Sequence, residues 1–278
     1  MTARRRVAVL GTGFTKTGTA TPPAQIAAVA GPDFAPELVE TRYSVFPATP
    51  YDRGLAAVGY LDTAVSAAKA GFDAVFINTF GDYGIAEMRS ALSIPVVGAG
   101  EAAMSLASTL GRRFAIVTIW PESMKFIFDE RLTATGLRDR CAEVVFVLAQ
   151  DEMKARGATD DPVAHMRNGN AAVIDRIVAS AEGALARGAD TIVLGCTCMA
   201  PIAAQIAARV AAPVVDPMTA GYKASETLVS LGLAQSAVAY PRVPADRLAA
   251  IGDLVSGGLT LSTPPTTEEC EVCVVAAE

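Results

Sequence analysis

The side chain best suited to chemistry is Cys196, in the stretch GCTCMAP (195–201). It follows the strand-like run TIVL (191–194) and precedes PIAAQIAARV (201–210), a helical pattern opening on a proline at a permitted position. A thiol between a buried strand and a helix start lies near backbone N–H groups, which favour thiolate. A thiolate there can act as acid/base or as nucleophile. Its counterpart is found by repetition. GFDAVFINTF (71–80) aligns with GADTIVLGCT (188–197), so that Gly71 meets Gly188, Asp73 meets Asp190 and Thr79 falls opposite Cys196. IPVVG (94–98) likewise meets APVVD (212–216), and RVAVLG (6–11) meets RFAIVT (113–118). One loop brings a thiol, the other a hydroxyl that can donate to developing negative charge.

The remaining reactive residues carry less. Cys198 makes a Cys-x-Cys with Cys196, but a metal site needs three or four ligands at suitable spacing, so no metal is expected. Cys270 and Cys273 form a C-x-x-C outside any strand–helix context. His165 sits in a polar stretch beside Asp160, Asp161 and Arg167, the setting of a solvated helix residue. GTGFTKTG (11–18) lacks both the dinucleotide fingerprint and a phosphate-loop G-K-[ST], though its backbone could offer donors to a carboxylate.

The elements that must position these groups alternate. Strands are expected at VAVLG (7–11), AVFINTF (74–80), IPVVG (94–98), RFAIVT (113–118, extending to Trp120), EVVFVL (143–148), TIVLG (191–195) and APVVD (212–216). Helices are expected over 54–70, 85–92, 101–111, 171–188, 201–210 and 217–231, with another after Pro121. Such alternation means parallel sheets with crossover helices, and ligands then bind outside the carboxyl ends of the strands. The expected fold is α/β, two similar Rossmann-like parallel-sheet domains related by a pseudo-twofold axis with the active site in the cleft between them. Residues 1–112 plus about 217–278 form one domain and 113–216 the other. Residues from about 262 to 278 (STPPTTEECEVCVVAAE) read as a tail.

With 278 residues, 51% of them hydrophobic, the chain can bury a large core without disulfides or metals. The net charge of −6 and the scattered basic residues exclude a nucleic-acid surface; Arg4-Arg5-Arg6 is short and precedes a strand. No apolar stretch reaches the length of a membrane span, and VAVLGTGF is no signal peptide. Five unevenly spaced cysteines are not a secreted framework, so a cytoplasmic setting is expected. The expected partners are a small-molecule substrate and further copies of the chain.

FGDYG (80–84), IPVVGAGEAAM (94–104), LGRRFAIVT (110–118) and GADTIVLGCTCMA (188–200) resemble the aspartate/glutamate/hydantoin racemase superfamily, nearest its hydantoin and allantoin racemase branch, over roughly residues 5–235. The resemblance implies two α/β domains, no cofactor, and two cysteines flanking the substrate α-carbon, one removing the proton and the other returning it. Cys196 matches the second cysteine. The first falls on Thr79, whose hydroxyl is far too weak an acid to replace a thiolate. The N-P-N-T-S that usually follows the first strand in the hydantoin branch is replaced by Gly11, Thr12, Gly13, Phe14 and Thr15, and Cys198 stands where glycine is common. The superfamily's arylmalonate decarboxylases keep only the second cysteine and hold a carboxylate with donors from the first loop.

These features together predict a cofactor-independent carbon-acid enzyme with Cys196 and Thr79 catalytic. Gly11, Thr15, Phe80, Gly81, Thr118, Thr197 and Cys198 would bind a small carboxylate or cyclic amide. One-base isomerisation, decarboxylation or lyase chemistry is the favoured reaction. The alternatives are a two-base hydantoin or amino-acid racemase or epimerase, and a non-catalytic binding protein of the same fold.

Overall fold

The computed structural model describes residues 3–11, 21–152, 162–244 and 246–261. Thr15, Cys270, Cys273 and the expected tail lie outside them. The chain forms two compact units. One runs to Gly98 and resumes at Gly221; the other spans Ala99–Ala220.

The first unit contains β1 (Arg5–Gly11), α1 (Ala24–Val29), β2 (Phe34–Glu40), α2 (Pro50–Lys69), β3 (Ala74–Ile77), α3 (Ile85–Ala91) and β4 (Val96–Gly98). Its sheet is parallel throughout, in the order β2-β1-β3-β4. Val7–Leu10 and all of β3 are buried, as strands covered on both faces must be. α2 starts earlier than its periodicity predicts because Thr49 and Asp52 close a capping box around Pro50. β2 escapes the sequence reading because Pro36 interrupts it; an edge strand tolerates the missing N–H.

The second unit contains α4 (Ala99–Leu110), β5 (Phe114–Thr118), α5 (Lys125–Thr135), β6 (Cys141–Phe146), α6 (Pro162–Arg167), α7 (Ala171–Ala186), β7 (Thr191–Leu194), α8 (Ala203–Ala207) and β8 (Val214–Val215). Its parallel sheet has the order β6-β5-β7-β8, the same winding as the first. The core packs Ala115, Val117, Ile192 and Leu194 against Ile174, Ile177, Val178 and Ala181 of α7. The chain then continues through α9 (Pro217–Ser230) to α10 (Leu248–Leu261), which packs on α2. Among the described residues no helix is long and apolar enough to cross a membrane.

The repeated letters have repeated jobs. Gly71 and Gly188 both take the left-handed conformation that ends the preceding helix, at φ 77° and 102°. The Asp73 N–H donates to the Arg6 carbonyl at 2.8 Å, and the Asp190 N–H to the Arg113 carbonyl at 2.8 Å. Each aspartate carboxylate also accepts a backbone N–H at the start of the adjacent strand, from Arg6 at 2.6 Å and from Arg112 at 2.7 Å. The Val75 and Ile192 N–H groups donate to the carbonyls of Pro95 and Pro213, both at 2.9 Å. Hence the same few residues fix strand register in both sheets.

In each sheet the chain steps from the first strand to an edge and returns on the other side. The switch falls between β1 and β3 in one unit and between β5 and β7 in the other. Crevices at such switch points, beyond the carboxyl ends of the strands, are where open α/β sheets bind ligands.

Candidate active site

Cys196 is the second residue beyond β7. The Gly195 N–H before it donates to the Val117 carbonyl at 2.8 Å, continuing the ladder for one residue. A Cβ at Gly195 would lie 2.5 Å from the Thr118 Cβ, so only glycine lets the chain turn here. Cys196 has extended backbone and caps a 3-10 helix, Thr197–Ile202, with its Sγ accepting the Cys198 N–H at 3.1 Å. In the structure the two sulfurs are joined, Cys196 to Cys198, with the Cα atoms 5.1 Å apart. Cys196 and Thr197 are buried and Cys198 is half-buried.

Thr118, at the end of β5, is fully buried. Its hydroxyl donates to the Gly195 carbonyl at 3.4 Å and accepts the Trp120 N–H at 3.3 Å. It therefore braces the turn into Cys196. Asp216, past β8, caps α9: its carboxylate accepts the N–H groups of Met218 and Thr219, both at 3.1 Å, and the Thr219 hydroxyl at 2.8 Å. Burial raises its pKa, against the pull of those bonds. His165 is half-buried on α6, which packs against the 3-10 helix. Among the described residues no group of three or more His, Cys, Asp or Glu is placed to hold a metal ion.

Thr79 is the second residue beyond β3 and reproduces the placement of Cys196. The preceding Asn78 N–H donates to the Leu10 carbonyl at 3.3 Å, as Gly195 does to Val117. The expected strand to residue 80 stops at Ile77, because the Thr79 N–H turns back to the Ile77 carbonyl at 2.9 Å. The Thr79 hydroxyl is buried and has no hydrogen-bond partner among the described residues. An unmet buried hydroxyl costs about 1–3 kcal/mol, which a bound acceptor would recover.

Around it the loop is tightly determined. Phe80 is buried, and a Cβ at Gly81 would come within 2.2 Å of the Tyr83 ring. Tyr83 packs at 6.0 Å from Tyr60, whose burial pushes its pKa well above the usual range. Gly11 ends β1 in a buried position beside the Leu38 side chain. The structure thus gathers Gly11, Thr79, Phe80 and Gly81 at one switch point, and Thr118, Cys196, Thr197 and Cys198 at the other.

Asp82 is the residue the sequence reading did not single out. It is 1% exposed and holds a left-handed backbone, φ 46°, which aspartate tolerates better than most residues. Its carboxyl group lies on the bare face of Gly98, where a Cβ would meet Cγ at 2.3 Å. Its position between glycines in FGDYG was the available signal.

The profile of the Asp/Glu/Hydantoin racemase family matches residues 23–224. A hydantoin racemase from Rhizobium meliloti is 30% identical over 197 residues, 70% of this chain and 77% of that protein. The solved allantoin racemase from Klebsiella pneumoniae is 31% identical, with a TM-score of 0.73 over 87% of this chain and 95% of its own. Arylmalonate decarboxylase shares the fold, at 18% identity and a TM-score of 0.51 over 82% of this chain and 93% of its own. The profile covers most of the chain and takes in both Thr79 and Cys196, so the chain belongs to the Asp/Glu/hydantoin racemase family of enzymes.

Proposed function

We propose that this chain is a cofactor-independent carbon-acid enzyme in which Cys196 is the single thiol acid/base. Its reduced sulfur exchanges a proton with the α-carbon of a small carboxylate or cyclic amide. Thr79, with backbone N–H groups of the same loop, holds the oxygen on which negative charge develops as that carbon becomes an enolate. The observation that carries this reading is the pairing of Thr79 with Cys196. The two occupy equivalent places in equivalent sheets, and the Thr79 hydroxyl is buried with no partner among the described residues. A hydroxyl cannot act as a second thiolate, but it can donate a hydrogen bond. One base supports isomerisation, decarboxylation or stereospecific protonation.

The second reading is a two-base racemase, favoured by the names of the relatives near 30% identity, hydantoin racemase and allantoin racemase. In that case another group supplies the second proton.

Cys196→Ser tests the common core of both. With reductant present, α-proton exchange into deuterated water over a panel of carboxylates and 5-substituted hydantoins should fall by about 10³-fold or more. Retention of most of the exchange removes Cys196 from the reaction.

A further inference from the structure

Proton transfer leaves one side chain at this site idle. At position 198 it asks only for a backbone N–H, which almost any residue supplies, yet a thiol stands there. The Cys196 and Cys198 sulfurs are bonded, and their Cα separation of 5.1 Å lies within the range that disulfides span. The cap turn that brings the Cys198 N–H to 3.1 Å from the Cys196 Sγ keeps the two residues together at the start of the 3-10 helix. Cys141 differs in every respect. It is unpaired in β6, its thiol donates to the Glu143 carbonyl at 3.3 Å, and burial pushes its pKa up to about 11.

We propose that Cys196 and Cys198 form a reversible thiol–disulfide modification site that a low-molecular-weight disulfide closes, withdrawing the acid/base sulfur from use. The withdrawal, though not the site itself, rests on the reading of Cys196 given above. In the first step the Cys196 thiolate attacks one sulfur of the small disulfide. The S–S bond breaks, and one small thiolate leaves and takes up the proton that Cys196 gave. In the second step the Cys198 thiolate attacks the Cys196 Sγ and expels the other small thiolate, which takes the proton from Cys198. Two protein thiols are oxidised and one small disulfide is reduced to two thiols. A dithiol runs the exchange backwards. A sulfur in a disulfide has no proton to give and no charge with which to take one.

The test treats the full chain, carrying Cys270→Ser and Cys273→Ser, with oxidised glutathione after complete reduction. Mass spectrometry of the intact protein and of the peptide holding both cysteines reads the site. Iodoacetamide labelling reads its free thiols, and α-proton exchange reads activity. The expected product has lost two hydrogens, is cross-linked between Cys196 and Cys198, carries no glutathione and takes no label at either position. Exchange should fall in step with the cross-linked fraction, by about 10²-fold or more at full conversion, and dithiothreitol should restore it. Cys198→Ser should stop at the first step and keep one glutathionyl group on Cys196. Free labelling of Cys196 after oxidation, or a lasting glutathionyl group on it with Cys198 intact, overturns the proposal. If that happens while Cys196→Ser is inactive, the catalytic reading stands without the switch. Closure of the bond with exchange unchanged leaves the redox site and overturns the catalytic reading.

Discussion

At the scale of single residues, the proposed function turns on what stands second after β3 and after β7. In that proposal Cys196 offers a proton and Thr79 offers a hydrogen bond. Restoring a thiol in the first loop should therefore change the stereochemistry more than the fold, since threonine and cysteine are close in volume. With a chiral product bearing an exchangeable α-proton, wild type should exchange slowly and without inversion. Thr79→Cys should begin to racemise the same compound, as chiral chromatography would show. Wild-type racemisation at the mutant's rate would mean that a second base already exists. Gly195 is the other decisive single position. In Gly195→Ala the new methyl group meets the rigid Thr118 side chain at 2.5 Å, so either strand β5 or the Cys196 turn must move. The expected cost is about 1–3 kcal/mol in denaturant unfolding, with exchange reduced beyond what the unfolded fraction explains. An undisturbed variant would show that the turn has slack.

At the scale of elements, the interior strands and the long amphipathic helices were legible, because periodicity and glycine stops mark them. What escaped had physical reasons. β2 carries Pro36, and α10 contains Gly252, Gly257 and Gly258, poor helix formers whose place is set by packing on α2. The start of the 201–210 helix was mislocated because Cys196 caps a 3-10 helix first, and α8 begins only at Ala203. Beyond β6, Glu152 ties the chain to α7. Its carboxylate receives two bonds from Arg176, at 2.7 and 3.0 Å, and one from the Ala149 N–H at 2.8 Å. The Arg176 hydrogen bonds, chiefly, lower its pKa from 4.5 to about 2. A carboxylate whose pKa is lower folded than unfolded stabilises the fold above its unfolded value and loses that contribution as the pH falls through its folded one. Glu152→Gln should therefore melt below wild type at neutral pH, with the gap closing between about pH 4.5 and pH 2. A gap that does not vary with pH would contradict this assignment.

At the scale of the whole molecule, the repeat was the most legible feature. Gly71 and Gly188, Asp73 and Asp190, and Pro95 and Pro213 recur in sequence because each pair performs one backbone task in two sheets of the same winding. The pairing of Thr79 with Cys196 could be read from the same alignment. Asp82 could not, because its importance lies in a left-handed backbone and a contact with Gly98, sixteen residues on. The Cys196–Cys198 bond could not either, since a Cys-x-Cys spacing alone fits a metal, a disulfide or neither. The central claim is that one thiol serves one prochiral centre. The direct measurement is the stereochemistry of solvent deuterium taken up at the α-carbon by the reduced wild-type enzyme, followed from the first turnover by chiral chromatography and mass spectrometry. Deuterium entering on one face only, with no enantiomer formed as exchange proceeds and with the signal lost in Cys196→Ser, is the predicted result. Inversion accompanying exchange from the first turnover would contradict it and make the enzyme a two-base racemase.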